Sequence, residues 1–596
     1  MKKLLTIAII GIFITSGFVV TATHNTNNEK KTISDSITLS KLELINTNNY
    51  VSIQLDETNT YIQEPGNPKI PLYVKTYVFP FGTQIKSVDC LFNDPKIINL
   101  DKPIVPTLEP VPVLVDAKKP SYTVNSEVYN SNNVFPKMTF YYKVGCGLKD
   151  DKHVVFLSVY CSPIRYKPIE NKIFFSDEIK INVNFEETKS PLVFSDEYDL
   201  IVISPEEYTA ELQPLVEHKI SFGLNSMIKT TEDIYSEYSG RDEAEKIKYF
   251  IKDAIETLGA EYILLVGSIR KLPIRSSDIS IWRFEDDVLT DLYYADIYDH
   301  QGMFCSWDYN ENDIFGEPNV DQVDLYPDVY LGRLACDTLE EVIVVVNKII
   351  HYETETFGES WFNDMVFIGG DTFPWWPGNE GENLNEIIMG IMSDFNPSSV
   401  IWTSKRNFNR PTISRAISQG AGFVDYSGHG FEHGMGTYPP NNGLYMKSYL
   451  TFNVNDISNG YKLPIIFFDA CLTAKLDFVL RDVLEYKQYR IFYILSMLFN
   501  MDIDVELPVF AWYFVKHDGG GAIATIGATR TAYGGVEEGA GKISVEFFNS
   551  YEGSEFLGQM MTGAQNVYIQ DVPDDAFTVE EFILLGDPSL KIGGYQ

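Results

Sequence analysis

Short apolar runs recur along the last two thirds of the chain, each closed by a turn signal, with helix-length segments between most of them. They lie at Leu200 to Ser204, Tyr262 to Gly267, Met365 to Gly369, Gly422 to Tyr426, Leu463 to Asp469 and Ala522 to Gly527. A strand that is apolar at nearly every position must be covered on both faces, so the pattern predicts a mostly parallel sheet flanked by helices. The first third reads differently. Tyr50 to Leu55, Ile70 to Phe79, Val154 to Tyr160 and Ile181 to Phe185 are short runs split by turn residues, which predicts an all-β unit. The Pro-rich stretch Lys102 to Pro120 has no helical period and reads as an extended crossing.

At the amino terminus, Lys2 and Lys3 precede a largely apolar Leu4 to Val20, and Val20 and Ala22 suit a signal peptidase cutting before Thr23. A secreted, extracellular protein is therefore expected, with no stable membrane span once the signal is removed. Ile491 to Phe499, the longest apolar run elsewhere, is too short to cross a bilayer. The 596 residues divide into a signal (1–22), a β-rich unit (23–190) and two α/β parts (191–350 and 351–596). With 83 acidic against 47 basic residues the net charge is -36, which excludes generic nucleic-acid binding by repulsion from phosphate. Six Cys are too few for a disulfide scaffold. Cys305 and Cys336 are the candidate pair, and Cys471 stands alone.

Two strand ends carry chemistry. Gly422-Phe-Val-Asp-Tyr-Ser-Gly428-His429-Gly430 and Leu463-Pro-Ile-Ile-Phe-Phe-Asp469-Ala470-Cys471 are apolar strands that stop abruptly at a reactive side chain. Reactive groups in open parallel sheets collect at carboxyl ends of strands. The spacing of about forty residues accommodates a crossover to a neighbouring strand. A thiol becomes a good nucleophile when an imidazole stabilises its thiolate. Gly428 and Gly430 permit tight turns, and the N–H groups of Gly430 and Cys471 are the expected oxyanion donors. Taken singly, each motif also reads as inert packing or a turn. His433, the rival base, lies past the strand end and reads as a loop residue. Neither a Gly-x-Ser-x-Gly elbow nor a His-Glu-x-x-His helix occurs.

Tyr426-Ser-Gly-His429-Gly430 and Phe468-Asp469-Ala470-Cys471 resemble the His and Cys motifs of gingipain-type cysteine peptidases, relatives of caspases and legumains. Tyr262 to Gly267, Val329 to Leu334, His351-Tyr352-Glu353 and Gly586-Asp587-Pro588-Ser589-Leu590 are similar to that family's blocks in the same order. Glu64 to Pro71 and Lys75 to Pro80 resemble its prosegment. The resemblance implies a caspase/gingipain-like α/β fold in two subdomains behind an all-β prodomain that blocks the cleft. It also implies a zymogen of a cysteine endopeptidase acting on proteins or peptides, with processing expected between Glu186 and Glu197. Cys471 would be the nucleophile and His429 the base and acid. Asp371, just after a strand, falls where the family has a third member, although the family acid is the longer Glu.

Gingipains that cut after Arg or Lys carry an acid on the loop after that third member, where this chain has Glu380 and Glu382 at a different spacing. These two predict a basic primary specificity, whereas Trp375 and Trp376 would build an apolar wall; Tyr533 is assigned to the substrate site with them. No cofactor is expected for catalysis. Asp308, Asn310, Asn312 and Glu317, with Asp321 and Asp324 near, supply oxygens at spacings that suit a structural Ca2+ loop; the bland reading is a polar loop of Asx turns. The alternative for the whole chain is a non-catalytic surface-binding or adhesion protein on a peptidase-like frame, which would have no need of Cys471 and His429.

Overall fold

Alternating patterns and frequent turns in the first third yield antiparallel sheets. The computed structural model describes residues 29–58, 60–113, 122–187, 197–279, 287–318, 320–485, 501, 503–535 and 537–596. The expected signal, the run 491–499, the Pro-rich stretch after 113 and residues 188–196 of the expected processing stretch lie outside these. Glu178–Glu187 is the middle strand of a three-stranded sheet, between Glu29–Thr38 and Gln84–Phe92. Glu186 and Glu187 thus belong to a paired strand rather than to an open linker. A four-stranded sheet runs Thr60–Tyr61, Pro71–Pro80, Lys152–Cys161, Phe140–Lys149, all antiparallel.

The α/β part is built on two large sheets, with two small antiparallel ones beside them at 275–290 and 429–450. In the first, β1 (Leu200–Ser204), β2 (Ser226–Thr230), β3 (Tyr262–Val266) and β4 (Tyr330–Leu334) run parallel in the order β2-β1-β3-β4. The second comprises β5 (Asp364–Gly369), β6 (Asn396–Trp402), β7 (Phe423–Ser427), β8 (Ile465–Asp469), β9 (Ala524–Ala528) and β10 (Phe582–Leu585), ordered β6-β5-β7-β8-β9-β10. Only β10 is antiparallel to its neighbour. Every residue of β1, β3, β7, β8 and β9 is buried, as their apolar runs require. Edge strands β2 and β6 are mostly part-exposed and carry no continuous apolar run, so the sequence pattern passes over them.

Helices α1 (Thr209–Ser221) and α2 (Leu339–Glu355) pack together beside the first sheet; α3 (Glu380–Ile391) packs on β5 and β7, and α4 (Ala540–Asn549) on β8. Among the described residues no helix is long and apolar enough to cross a membrane. The two sheets meet where Gly332 of β4 passes the Gly586 carbonyl, which a Cβ at Gly332 would approach to 2.4 Å. All six Cys are buried free thiols. Cys305, in a loop with its sulfur 3.8 Å from the Gln322 carbonyl, and Cys336, just past β4, are the candidate pair and do not form a bridge.

One carboxyl is buried inside β7. Asp425 is fully inaccessible, and one of its oxygens accepts from Asn385 Nδ2 on α3 at 2.6 Å. Burial pushes its pKa up to about 8. The folded chain therefore keeps a proton that the unfolded chain releases near pH 4, so stability falls as the pH rises from there to about 8. Asp425→Asn is expected to remove that loss, on the order of a few kcal/mol at pH 8, read as a flatter pH dependence of the denaturation midpoint. An unchanged pH profile would show that Asp425 is ionised in the fold.

Candidate active site

β7 and β8 are adjacent and parallel, with Ser427 opposite Asp469. His429 and Cys471 each lie two residues past this matched pair, so both emerge at the same edge of the sheet. The short strand His429–Phe431 and the turn at Cys471 touch backbone to backbone: a Cβ on Gly430 would lie 2.1 Å from the Cys471 carbonyl oxygen and 3.0 Å from its amide nitrogen. Only glycine fits there. Immediately after the cysteine the chain turns through Leu472 at φ 57, and the Leu472 N–H donates to the Arg530 carbonyl at 2.9 Å. Left-handed backbone at a non-glycine residue stores strain that the neighbouring structure must hold. Cys471 Sγ lies 3.4 Å from the carbonyl of Ala532, past the end of β9.

The His429 ring is buried between two carbonyl oxygens. Nε2 is 2.7 Å from Thr372 O and Nδ1 is 2.7 Å from Val113 O. Acceptors on both sides suit the doubly protonated ring, while burial pulls its pKa below the ordinary imidazole value. Phe373 and Tyr438 present ring edges at 6.2 and 5.6 Å. The group that orients the imidazole is thus a backbone carbonyl, one residue beyond Asp371. The Asp371 backbone exchanges two hydrogen bonds of 3.1 Å with Tyr438, and its carboxylate accepts from the Asn441 N–H at 2.6 Å, while His429 has its ring bonds to Thr372 O and Val113 O. Burial, assisted by nearby Glu380, pushes Asp371 up to about 6.

Both glutamates bond to the protein, Glu382 through both carboxylate oxygens and Glu380 through one, its Oε1 being buried without a hydrogen-bond partner. Glu380 Oε2 accepts from the N–H groups of Thr372 (3.2 Å) and Phe373 (3.1 Å), which clamps the peptide that presents Thr372 O to the imidazole. Glu382 is buried and receives Ser404 N–H at 2.9 Å, Ser404 Oγ at 2.5 Å and Thr403 Oγ at 3.2 Å. It holds the start of α3 to the loop after β6, because its side chain turns inward from the first helical turn. Trp375 is part-exposed, beside Phe373 and Trp376 at 5.1 and 6.1 Å. Tyr533 is buried, its ring against Phe577 at 5.5 Å. His433 is set between Phe431 and Phe478.

A segment of the β-rich unit lies in this site. Val113 N–H donates to Ala532 O at 2.8 Å, Gly534 N–H donates to Val111 O at 3.1 Å, and Pro112 pairs antiparallel with Tyr533. With this strap in place Cys471 is 0% and His429 1% exposed. The Pro-rich composition indicated an extended crossing; nothing local in it indicated the destination. The β-rich unit docks elsewhere too. Tyr326 stacks on Phe156 at 4.6 Å, and a Cβ on Gly145 would meet its ring at 2.3 Å. Cys146 N–H donates to Asp324 at 2.9 Å.

In the loop expected to bind Ca2+, the side-chain oxygens accept hydrogen bonds from protein donors. Asp308 accepts from Arg241 and from the N–H groups of Asn312 (3.0 Å) and Asp313 (2.9 Å). Glu317 receives the amides of Asn310 (3.2 Å) and Asn312 (2.7 Å). Among the described residues no group of three or more His, Cys, Asp or Glu side chains is placed to hold a metal ion.

Residues 195–593 match Peptidase family C25, and residues 45–198 match Propeptide_C25. Gingipain R2 of Porphyromonas gingivalis is 25% identical over 315 residues, covering 51% of this chain and 37% of that protein. Gingipain R1 of the same organism is 23% identical over 398 residues, covering 61% and 35%. The chain therefore spans little more than a third of these relatives. The crystal structure of the Arg specific cysteine proteinase gingipain R aligns with a TM-score of 0.48 at 21% identity, covering 68% of this chain and 80% of that one. The complex of Porphyromonas gingivalis RgpB pro- and mature domains aligns at 0.47 with 20% identity, covering 66% and 79%. With a match over most of its length, this chain belongs to Peptidase family C25 and carries the propeptide of that family ahead of it.

Proposed function

We propose that the chain is the zymogen of an exported cysteine endopeptidase. The observation that carries this reading is that the Cys471 sulfur and the His429 imidazole bracket a single residue of an extended peptide, Val113, whose N–H shares Ala532 O with the sulfur and whose carbonyl meets Nδ1. Once the strap leaves, Nδ1 is released from that carbonyl. His429 then takes the Cys471 proton, and the thiolate attacks the carbonyl carbon of a substrate peptide bond. The N–H groups of Gly430 and Cys471 stabilise the oxyanion. The C–N bond breaks as His429 returns the proton to the leaving amine, and water, deprotonated by the same ring, hydrolyses the thioester. The Thr372 carbonyl keeps the ring in one orientation throughout, the part usually taken by a carboxylate.

Preference for Arg or Lys before the scissile bond would need an open acid, and Glu382 is already committed to Ser404 and Thr403. Latency follows from burial. Iodoacetamide is expected to modify Cys471 slowly in the full chain and far faster after a cut within residues 188–196 releases the prosegment, with peptidase activity lost in step with labelling. Equal labelling rates in both forms would remove the strap as the block, and unimpaired hydrolysis by fully labelled protein would remove the thiol mechanism.

A further inference from the structure

The strap also carries information about what the site accepts. An added antiparallel strand bonds to its host through alternate residues. Here these are Val111 and Val113, while Pro112 between them sits where no N–H is needed. A substrate must offer its scissile carbonyl beside the sulfur and the imidazole. Val113 is the residue whose carbonyl lies 2.7 Å from Nδ1 and whose N–H shares the Ala532 carbonyl with Cys471 Sγ. The strap therefore lies antiparallel along Ala532 to Gly534 with Val113 at the sulfur and the imidazole. Its side chain is 4% exposed and continuous with the apolar core.

From this register we infer that the enzyme cleaves after small aliphatic, β-branched residues, with Val113 as the built-in mimic of that residue. The inference rests on the peptidase reading above and departs from a basic specificity. A Lys or Arg at this place would bring a charge into an apolar setting. Of the two candidate acids, Glu382 is bonded to Ser404 and Thr403, and Glu380 spends Oε2 on the Thr372 and Phe373 amides, leaving only its buried Oε1 without a partner. A valine costs little to order because its branched side chain has few rotamers. Pro112 and Val111 extend the preference to peptides that lie as a strand along Ala532 to Gly534.

The test uses the full chain cut within residues 188–196 and four coumarin amides, Val-Pro-Val, Val-Pro-Ile, Val-Pro-Lys and Val-Pro-Arg. kcat/KM for the Val and Ile peptides should exceed that for Lys and Arg by about tenfold or more. In the same sample, iodoacetamide labelling is mapped to Cys471. Labelling that abolishes turnover, together with faster hydrolysis after Lys or Arg, would overturn this specificity and leave the peptidase reading standing. No turnover of any peptide with an inert Cys471 would overturn both. An independent readout is the uncut chain: Val113→Ile should preserve latency, whereas Val113→Lys, with an unchanged melting temperature, should raise residual activity. Tighter latency in Val113→Lys would mean that the site prefers a cation.

Discussion

Cys471→Ala is expected to lower kcat/KM by about four orders of magnitude or more while leaving the fold intact. In the proposed mechanism the sulfur, 3.4 Å from Ala532 O, forms the covalent intermediate, and alanine has no atom that can replace it. Residual hydrolysis would come from strand pairing along Ala532 to Gly534 and from the oxyanion donors. Structurally the change is small. Cys471 is fully buried, and losing one sulfur there should cost no more than about 1–2 kcal/mol. Peptide hydrolysis and a thermal melt on the same preparation separate the two effects. Near wild-type activity in this variant would end the nucleophile assignment.

The largest effect on stability is expected at a buried ion cluster far from the sulfur. Lys219 on α1 is wholly inaccessible, with Nζ 2.7 Å from Glu353 on α2, 2.7 Å from Asp587 and 2.8 Å from the Ser589 carbonyl. Glu353 also receives the Lys591 N–H at 2.7 Å and faces His218 Nε2 at 2.8 Å. Burial alone would lower the Lys219 pKa, but Asp587 and Glu353 outweigh it and hold the ammonium charged. Lys219→Met removes the cation and strands two buried carboxylates. The expected cost is about 3–5 kcal/mol, seen as a drop in denaturation midpoint. The triple variant with Glu353→Gln and Asp587→Asn should recover much of the loss. A Lys219→Met protein as stable as the parent would mean that the cluster contributes nothing net.

This cluster gives a physical content to two sequence blocks. His351-Tyr352-Glu353 and Gly586 to Leu590 were readable as family signatures with no visible role. In the fold they join the two sheets, one through Glu353 and the other through Asp587 and the Gly586 carbonyl against Gly332. The central strands were legible because total burial demands unbroken apolar runs, and β7 and β8 were legible as a pair of strand ends. Edge strands β2 and β6 were not, since one open side relaxes that demand. The hydrogen bonds of Glu382 were hidden in the sequence for a related reason. A carboxylate in the first turn of a helix reads as solvated or ligand-facing, and only the loop after β6, folded back over it, shows that its oxygens are taken.

The chain itself dictated where reactive groups would stand along each strand: apolar runs that end at His429 and Cys471 cannot continue into the core, because the next groups need hydrogen-bond partners. Tertiary structure alone decided what those groups face. The Thr372 carbonyl that orients the imidazole belongs to the backbone, which every residue possesses, so no side-chain pattern marks it. Val113 comes from hundreds of residues away, and its partnership with Ala532 and His429 depends on how one folded unit docks on another. Local composition specifies an extended strand there, and only the docked geometry makes that strand a substrate mimic.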